Sequence, residues 1–425
     1  MSNIPKGYKK TEIGVVPDDW GVSQIGEIAD IISGGTPKTT ENSFWNGTIL
    51  WCTPTDITRT SGRYIESTEK TITDKGLKNS SAILLPINSL LLCSRATVGN
   101  VRIAKHEITT NQGFKSLVCN SSAYYLFIYY LIPFLKPKML EKSYGSTFLE
   151  ISKSNLASIQ IQLPSYVEQQ TIAEVLSDMD ALIQAQKELI AKKRDIKQGT
   201  MQELLSGRVR LPGYETKGWK HTDIGDIPDD WEVKELGTVC KILRGGSPRP
   251  IEDYLTSSSS GINWIKIGDV ASSSKYITHT EEKTTAEGAT YSRNVYPGDF
   301  LLSNSMSYGR PYILTIEGCI HDGWLVLQEF HRFFESDFLY YELSSAITLK
   351  QYNMKAAGSS VHNLNKDLVS DVVVIIPSLS EQQAIAETLS DMDNEIETLE
   401  AELEKLNHMK RGMMQELLTG RIRLI

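Results

Sequence analysis

The sequence has few cysteines and no long uninterrupted apolar run, so it lacks the patterns that build disulfide frameworks, zinc sites and membrane spans. It contains five cysteines among 425 residues, widely spaced and without a Cys-x-x-Cys pair. This pattern argues against a disulfide framework and a zinc site, and it predicts a protein of the reducing cytoplasm. No apolar stretch follows the first lysines, so no signal peptide is expected. The longest strongly apolar run, from Tyr124 to Leu135, is cut by Pro133 and is too short to cross a bilayer, which predicts a buried helix and no membrane partner.

Motifs of catalysis are missing as well. The sequence has no Walker loop, no Gly-x-Gly-x-x-Gly, no His-Glu-x-x-His and no Asp/Asn-Pro-Pro-Tyr/Phe run of the kind that adenine methyltransferases use. One fragment, Asp269 followed by Glu281-x-Lys283, resembles the carboxylate–lysine set of metal-dependent phosphodiesterases, but the first half of the chain lacks that spacing. We therefore expect no catalytic residue, no metal ligand and no cofactor site in this chain. A single-chain nuclease or methyltransferase is kept as an alternative.

Positive charge is scarce for a protein that would bind DNA by itself. The net charge is −8. Residues 20–163 carry 14 lysines and arginines against 10 acidic residues, and residues 232–376 carry 13 against 17. No segment is a polycation, so a DNA-reading role would require a partner that supplies much of the phosphate contact.

The most informative feature is an internal repeat. The block KGYKKTEIGVVPDDWGV at Lys6–Val22 returns as KGWKHTDIGDIPDDWEV at Lys217–Val233, and PSYVEQQTIAEVLSDMD at Pro164–Asp180 returns as PSLSEQQAIAETLSDMD at Pro377–Asp393. SGGTPK returns as RGGSPR, and MQELLSGRVRL returns as MQELLTGRIRL. Between these blocks most residues differ. A repeated frame with divergent interiors predicts one fold that presents two different surfaces.

Each half is predicted to form a variable α/β domain followed by one long helix. Ser165-x-x-Glu168 and Ser378-x-x-Glu381 are predicted capping boxes that begin the helices, and Gly207 and Gly420 are predicted to end them, about 41 residues later. In the second helix apolar residues alternate in steps of four and three, a heptad pattern that the first helix shares except at Gln186 and Lys193. The seam comprises Ile172, Leu176, Met179, Ile183 and Ile190, and then Ile385, Leu389, Met392, Ile396, Leu399, Leu403 and Leu406.

The simplest partner for either helix is the other, although separate pairing with outside chains is an alternative. Two equal units that pair about a twofold axis place their helices antiparallel. We therefore predict an α+β fold with pseudo-twofold symmetry: two similar α/β recognition domains, each followed by a long helix, and the two helices paired as an antiparallel coiled coil. The predicted segments are 1–163 (first domain), 164–211 (first helix), 212–376 (linker and second domain) and 377–425 (second helix). The phase of the repeat also predicts that Leu424 lies close to Lys6.

The two Pro-x-x-x-Glu-Gln-Gln-x-Ile-Ala blocks, each followed by a helix ending in MQELL(S/T)GR, give the chain a resemblance to the specificity subunits of type I restriction–modification systems. The resemblance covers the whole chain in that family's usual order. It implies a cytoplasmic, non-catalytic subunit that reads a bipartite target in double-stranded DNA, with the helices setting the gap between the half-sites. It also implies two methyltransferase subunits and further motor–nuclease subunits as partners, which carry the S-adenosylmethionine, ATP and Mg²⁺ chemistry. The alternative is a coiled-coil scaffold unrelated to DNA.

Base reading needs polar side chains that can reach base edges, and phosphate contacts need cations or hydroxyl groups. Polar residues on turns of the divergent interiors are the candidates for base contacts: Arg59, Arg63, Ser94 and Arg95 in the first domain, and Asn304, Arg310, His362 and Asn363 in the second. The two Gly-Gly loops are candidates for phosphate contacts through their backbone N–H groups and through Thr36, Lys38, Ser247 and Arg249.

The repeated frame predicts that the two domains are exchangeable. Replacing residues 234–376 with the corresponding domain of another family member should change one half-site and leave the other as it was, because the frame residues stay in place. Methylation mapping in a host that carries the partner subunits measures both half-sites. Loss of both half-sites would contradict independent reading.

Overall fold

The computed structural model describes residues 4–144, 149–215, 217–270, 274–304, 309–356 and 364–424. The chain divides into two compact units: unit 1 comprises Met1–Lys187 and Glu402–Ile425, and unit 2 comprises Glu188–Ala401. Each unit therefore combines one recognition domain with part of both long helices.

The strands of unit 1 are short. In chain order they are β1 (Tyr8–Thr11), β2 (Gly14–Pro17), β3 (Gly21–Gln24), β4 (Ala29–Ser33), β5 (Trp45–Cys52), β6 (Tyr64–Ile65), β7 (Lys70–Ile72), β8 (Leu90–Leu92), β9 (Val101–Ala104), β10 (Ile108–Thr110), β11 (Lys115–Cys119) and β12 (Gln160–Leu163). They form a five-stranded sheet in the order β4-β11-β8-β9-β6, a three-stranded sheet β10-β5-β7, the hairpin β1-β2 and the pair β12-β3.

The helices of the first half of the chain are α1 (Ile25–Ile28), α2 (Pro54–Arg59), α3 (Asp74–Lys78), α4 (Tyr125–Glu141), α5 (Lys153–Ala157) and the long α6 (Tyr166–Leu205), with a 3-10 turn at Asn42–Phe44. The predicted buried helix does not stop at Pro133, because α4 continues through Pro133 and Pro137. Burial of Leu135 and Met139 beyond the first proline offsets the hydrogen bonds that the prolines remove.

Unit 2 repeats the strand arrangement. Its strands are β13 (Trp219–Thr222), β14 (Gly225–Pro228), β15 (Glu232–Glu235), β16 (Lys241–Arg244), β17 (Ile262–Ile265), β18 (Tyr276–Ile277), β19 (Glu282–Thr284), β20 (Arg293–Val295), β21 (Phe300–Ser303), β22 (Pro311–Leu314), β23 (Gly318–Ile320), β24 (Trp324–Gln328) and β25 (Val373–Ile376). The sheets are β16-β24-β21-β22-β18 and β19-β17-β23-β20, with the hairpin β13-β14 and the pair β15-β25. The five-stranded sheet thus recurs in the same order.

The helices of the second half are α7 (Leu236–Val239), α8 (Ala286–Thr290), α9 (Ser336–Leu343), α10 (Ala346–Ala356), α11 (Lys366–Ser370) and the long α12 (Leu379–Leu417). Two 3-10 turns lie at Ile251–Tyr254 and Ile267–Asp269. The long helices α6 and α12 span 40 and 39 residues, close to the predicted length.

The two long helices run antiparallel within each unit, as predicted. In unit 1 Lys410 Nζ lies 2.5 Å from Asp180 Oδ1, and Gln186 Nε2 donates to Glu402 Oε2 at 3.2 Å, so the partner's number falls as the residue number rises. In unit 2 Lys193 Nζ lies 2.5 Å from Glu395 Oε1. The two residues that interrupt the heptad seam, Gln186 and Lys193, therefore face polar partners on the other helix.

A buried carboxylate joins three separate segments in each unit. In unit 1 Glu168, which is fully buried, accepts a hydrogen bond from Trp20 Nε1 at 3.0 Å and one from Arg423 Nη2 at 2.9 Å. Arg423 also donates two hydrogen bonds to Asp19 at 2.8 Å. These hydrogen bonds raise the pKa of Arg423, so its guanidinium stays charged. We call this set the clasp of unit 1.

Unit 2 has the same clasp. Glu381 accepts hydrogen bonds from Trp231 Nε1 at 2.9 Å and from Arg210 Nη2 at 2.7 Å, and Arg210 donates to both oxygens of Asp230 at 3.0 Å. The repeated blocks PDDW, EQQ and GRxR are thus the parts of one contact. The tryptophan comes from the start of the domain, the glutamate from the first turn of one long helix, and the arginine from just beyond the end of the other.

The clasp corrects the predicted capping boxes. Ser165 and Ser378 each accept the N–H of the glutamate three residues on, at 3.2 and 3.3 Å, as an N-cap should. The glutamate side chains do not return to the cap, because they are used by tryptophan and arginine. The neighbouring Gln169 reaches outward in the same way: its Oε1 accepts the N–H of Tyr124 at 2.7 Å, at the start of α4.

The helix ends are set by glycine, as predicted. Gly207 and Gly420 both have φ of +70°, and a Cβ on either would lie 2.6 Å from the ring of Pro228 or Pro17. Tyr8 Oη donates to the carbonyl of Gly420 at 2.9 Å. The last residues of the chain therefore contact its first hairpin, which agrees with the predicted proximity of the two ends.

The clasp predicts an unequal response to two glutamate substitutions. Glu168→Ala removes the carboxylate that satisfies Trp20 and Arg423, and we expect it to lower the free energy of unfolding of unit 1 by about 3 kcal/mol, as for other broken buried ion pairs. Urea unfolding followed by tryptophan fluorescence measures the loss. The control is Glu203→Ala, which breaks an exposed pair with Arg208 and should change little. Equal effects of the two substitutions would contradict the role of the clasp.

Candidate nucleic-acid interface

In unit 1 the Gly-Gly loop after β4 lies against the turn between β10 and β11. A Cβ on Gly34 would lie 1.9 Å from the carbonyl oxygen of Asn111, so only glycine permits this approach. Trp51 Nε1 donates to the carbonyl of Gly35 at 2.9 Å, which fixes the position of the loop. Beyond it, the Thr36 hydroxyl donates to Oε1 of the exposed Gln112.

The turn after β8 reaches the same place. Ser94 N donates to the carbonyl of Gly113 at 2.8 Å, and a Cβ on Gly113 would lie 3.2 Å from Arg95 Nε. Ser94 is fully buried and Arg95 is half-buried. Of the six candidates in the first domain, the structure thus gathers Thr36, Ser94 and Arg95 around the turn 111–113, which we call the turn cluster of unit 1.

Unit 2 builds its turn cluster around Asp322. Ser247 Oγ donates to Asp322 Oδ1 at 3.0 Å, and Arg249 Nη2 lies 3.4 Å from Oδ2. Asn304, which is buried, donates from Nδ2 to the carbonyl of Asp322 at 2.9 Å. Gly245 is again required, since a Cβ there would lie 2.1 Å from the carbonyl oxygen of His321.

Gln112 and Asp322 were missed in the sequence. They occupy equivalent positions, in TNQGF at 110–114 and IHDGW at 320–324, each between two buried strands. The sequence feature that could have identified them is a polar residue directly before a glycine at the equivalent position of both copies. The repeated loops have similar residues in both copies, whereas this position is equivalent in the two copies but carries an amide in one and a carboxylate in the other.

The other candidates lie elsewhere or serve the fold. Arg59 forms an exposed ion pair with Glu69 at 2.6 Å. Arg63 Nη1 donates to the hydroxyl of Tyr130 at 2.8 Å, and Arg310 lies over the ring of Tyr312 at 5.7 Å. Lys38 is exposed. His362 and Asn363 lie outside the described residues.

Three of the loop N–H groups that the sequence predicted for phosphate contacts are used within the fold. The N–H groups of Gly35, Gly245 and Gly246 donate to the carbonyls of Thr110, Trp324 and Ile320 at 2.9–3.1 Å. The close packing that requires glycine also uses these donors. What the loops present are the side chains of Thr36, Lys38, Ser247 and Arg249.

The two clusters differ in charge. In unit 2 burial alone would raise the pKa of Asp322, but the hydrogen bond from Ser247 and the nearby charges outweigh burial and lower it. Burial lowers the pKa of His321, so its ring is neutral at pH 7. Unit 1 has the uncharged Asn111 and Gln112 at these positions. Unit 1 therefore combines the amide of Gln112 with the half-buried guanidinium of Arg95, whereas unit 2 combines the carboxylate of Asp322 with the guanidinium of Arg249.

Asp269 and Lys283 of the nuclease-like fragment form hydrogen bonds to nearby backbone groups. Asp269 Oδ2 accepts the N–H of Lys266 at 2.8 Å, and Lys283 Nζ donates to the carbonyl of Ser259 at 3.0 Å. Within the part of the chain that the structure describes, no group of three histidine, cysteine or acidic side chains is arranged to hold a metal ion. None of the helices in that part is long and apolar enough to span a bilayer.

Comparison with known proteins identifies relatives over both halves. The family model described as the type I restriction modification DNA specificity domain matches residues 17–192 and 228–408. The MjaIX specificity subunit of Methanocaldococcus jannaschii is 36% identical over 259 residues, which cover 59% of this chain and 58% of that relative. The MjaVIII specificity subunit of the same organism is 27% identical over 96% of this chain and 94% of its own length.

A solved structure supports the fold. A chain from a study titled as the structural basis of complex assembly and conformational transition of the type I R-M system aligns with a TM-score of 0.64 and 17% identity. The alignment covers 96% of this chain and 99% of that one. The predicted α+β architecture with a long helix after each domain is confirmed.

The half-buried His321 beside Asp322 in the unit 2 cluster predicts a pH-dependent stability. Below pH 6.5 the unfolded chain binds a proton on His321 that the folded chain excludes, so unit 2 should lose stability as the pH falls through 6.5, by at most about 1.4 kcal/mol per pH unit. His321→Asn, which places there the residue type found at position 111, should remove this part of the decline. Urea unfolding at pH 7.5 and 5.5 measures it, with the exposed His221→Asn as control. An unchanged slope in His321→Asn would contradict the assignment.

Proposed function

The chain belongs to the type I restriction–modification DNA specificity family, and from this we propose that its two units read the two halves of a split DNA target. It is a DNA-recognition subunit and not an enzyme. Each unit would read one half of the target through the side chains of its turn cluster.

The observation that carries the proposal is the turn cluster, built twice on one plan and filled with different side chains. Both clusters stand on a Gly-Gly loop and on a turn between two buried strands. Unit 1 presents Thr36, Arg95 and Gln112, whereas unit 2 presents Ser247, Arg249 and Asp322. An amide suits adenine, a carboxylate can accept from the amino group of cytosine, and arginine suits guanine. Two such surfaces would select two different half-sites.

The helices supply the spacing in this proposal. At 1.5 Å per residue, the 40 residues of α6 are about 60 Å long, equal to about 17 base pairs at roughly 3.4 Å each. That length exceeds a single recognition contact and leaves room for an unread gap. A coiled-coil scaffold unrelated to DNA would have no use for the paired turn clusters.

Partners complete the function. The net charge of −8 makes the chain a weak ligand for DNA phosphates, so we propose that two methyltransferase subunits add most of the cationic contact. They would bring S-adenosylmethionine for adenine methylation. Motor–nuclease subunits would bring ATP and Mg²⁺ for cleavage, and the complex would act in the cytoplasm.

Lengthening the paired helices should lengthen the gap. Inserting one heptad after Gln186 in α6 and another after Leu399 in α12 adds about 10 Å to each helix, and we expect a gap longer by about three base pairs with both half-sites unchanged. Methylation mapping in cells that also express the methyltransferase subunits measures this.

The control for the insertion carries the same seven residues between Pro212 and Gly213, outside both helices. Its gap should equal that of the parent. New half-sites with an unchanged gap in the helix variant would contradict the spacing role.

A further inference from the structure

One tyrosine hydroxyl in unit 1 joins the recognition domain to both long helices. Tyr130 of α4 is buried, and its hydroxyl donates to Asp180 Oδ2 on α6 at 2.7 Å. The other oxygen of Asp180 lies 2.5 Å from Lys410 Nζ on α12. From the domain side, Arg63 donates to the same hydroxyl at 2.8 Å. We call this set the tyrosine joint of unit 1.

Unit 2 has a matching joint. The hydroxyl of Tyr341 donates to Asp393 Oδ2 at 2.7 Å, and Lys197 Nζ of α6 pairs with Asp393 Oδ1. The cation on the domain side is Lys275, which lies 5.0 Å from the centre of the Tyr341 ring. The aspartate belongs to a repeated block, whereas the tyrosine lies in the divergent interior. In both units the tyrosine hydroxyl nevertheless donates to the equivalent aspartate.

The joint lies well away from the clasp along the helix. Asp180 follows Glu168 by 12 residues, and Asp393 follows Glu381 by 12, so each pair is separated by about 18 Å along its helix. The glutamate end of each domain is tied by the clasp. Between the clasp and the joint, Ile172 and Leu176 of α6 pack in the hydrophobic core of the domain in unit 1, and Ile385 and Leu389 of α12 do so in unit 2. The joint adds a polar contact about 18 Å beyond the clasp, so it extends the attachment along the helix and restricts tilting of the domain.

We propose that the two tyrosine joints are positioning elements that hold each turn cluster at one angle to the helices and so keep the unread gap at a single length. This inference rests on the proposed reading of a split target. The tyrosines touch no base in this account, and they act through the placement of the domain. Burial and the hydrogen bond to the aspartate raise the pKa of Tyr130 and of Tyr341, so both hydroxyl groups remain protonated donors at neutral pH.

Removing the hydroxyl tests the proposal while keeping the packed ring. The chain with Tyr130→Phe and Tyr341→Phe is expressed with its methyltransferase subunits in a host without other adenine methylation, and modified adenines are mapped by single-molecule sequencing. We expect sites whose gap is one base pair shorter or longer to be methylated at least tenfold more than with the parent chain. Both half-sites should stay unchanged.

The matched control is Tyr129→Phe, which removes a hydroxyl one residue away that has no hydrogen bond to a carboxylate among the described residues. It should keep a single gap length. If the double variant fails to accumulate as folded protein, Lys410→Gln tests the joint of unit 1 from the other helix and should relax the gap in the same way.

The outcomes separate the positioning role from a merely structural one. A uniform fall in methylation with an unchanged gap would overturn the inference and leave the proposed function standing. An unread gap that is absent already in the parent chain would overturn both.

Discussion

A buried glutamate at the first turn of each long helix is the constraint on which each unit depends. A carboxylate taken out of water is costly unless it is paired and hydrogen-bonded, and here it is paired with an arginine from beyond the end of the other long helix and with a tryptophan indole. Neither unit can satisfy its glutamate from its own domain and helix alone. The closure of each recognition domain therefore requires both halves of the chain, and Arg423, which follows the second long helix, is part of the fold of unit 1.

This constraint explains which parts of the sequence repeat. The blocks that supply the clasp, the glutamine beside it and the aspartate of the tyrosine joint recur because their partners lie in distant segments, where a change on one side leaves a buried charge or amide unsatisfied. The turn clusters have a backbone plan fixed by glycine, and although Ser94 and Asn304 are buried, the central residues Gln112 and Asp322 are exposed and partly exposed. Gln112 and Asp322 can differ because only the backbone around them is constrained. The residues that attach each domain to the long helices are therefore repeated, while the residues at the centre of each turn cluster differ.

Much of the architecture was readable from the sequence because it rests on local patterns. The helix bounds followed from Ser165, Gly207 and their counterparts. The heptad seam indicated that the helices pair, and the repeat of two equal units indicated the antiparallel direction that the ion pairs within each unit confirm. The clasp could not be predicted from the sequence. A capping box accounts for Glu168 by its near neighbours alone, and no nearby residue indicates that Glu168 contacts Trp20 and Arg423. The turn clusters were predicted in part. The two Gly-Gly loops were identified because they repeat, but Gln112 and Asp322 lie far from these loops in the sequence and are brought next to them by strand pairing. Pseudo-twofold symmetry and the assignment of individual DNA contacts stay predictions.

The central claim is that one frame carries two different readers. Mapping of modified adenines in a host that expresses the natural chain with its methyltransferase subunits tests it most directly. The account predicts a target of two short specified blocks separated by an unread gap of one fixed length. The two blocks should differ from each other because the centre of the turn cluster is the amide of Gln112 in unit 1 and the carboxylate of Asp322 in unit 2. A contiguous target, or two identical blocks in inverted orientation, would contradict it.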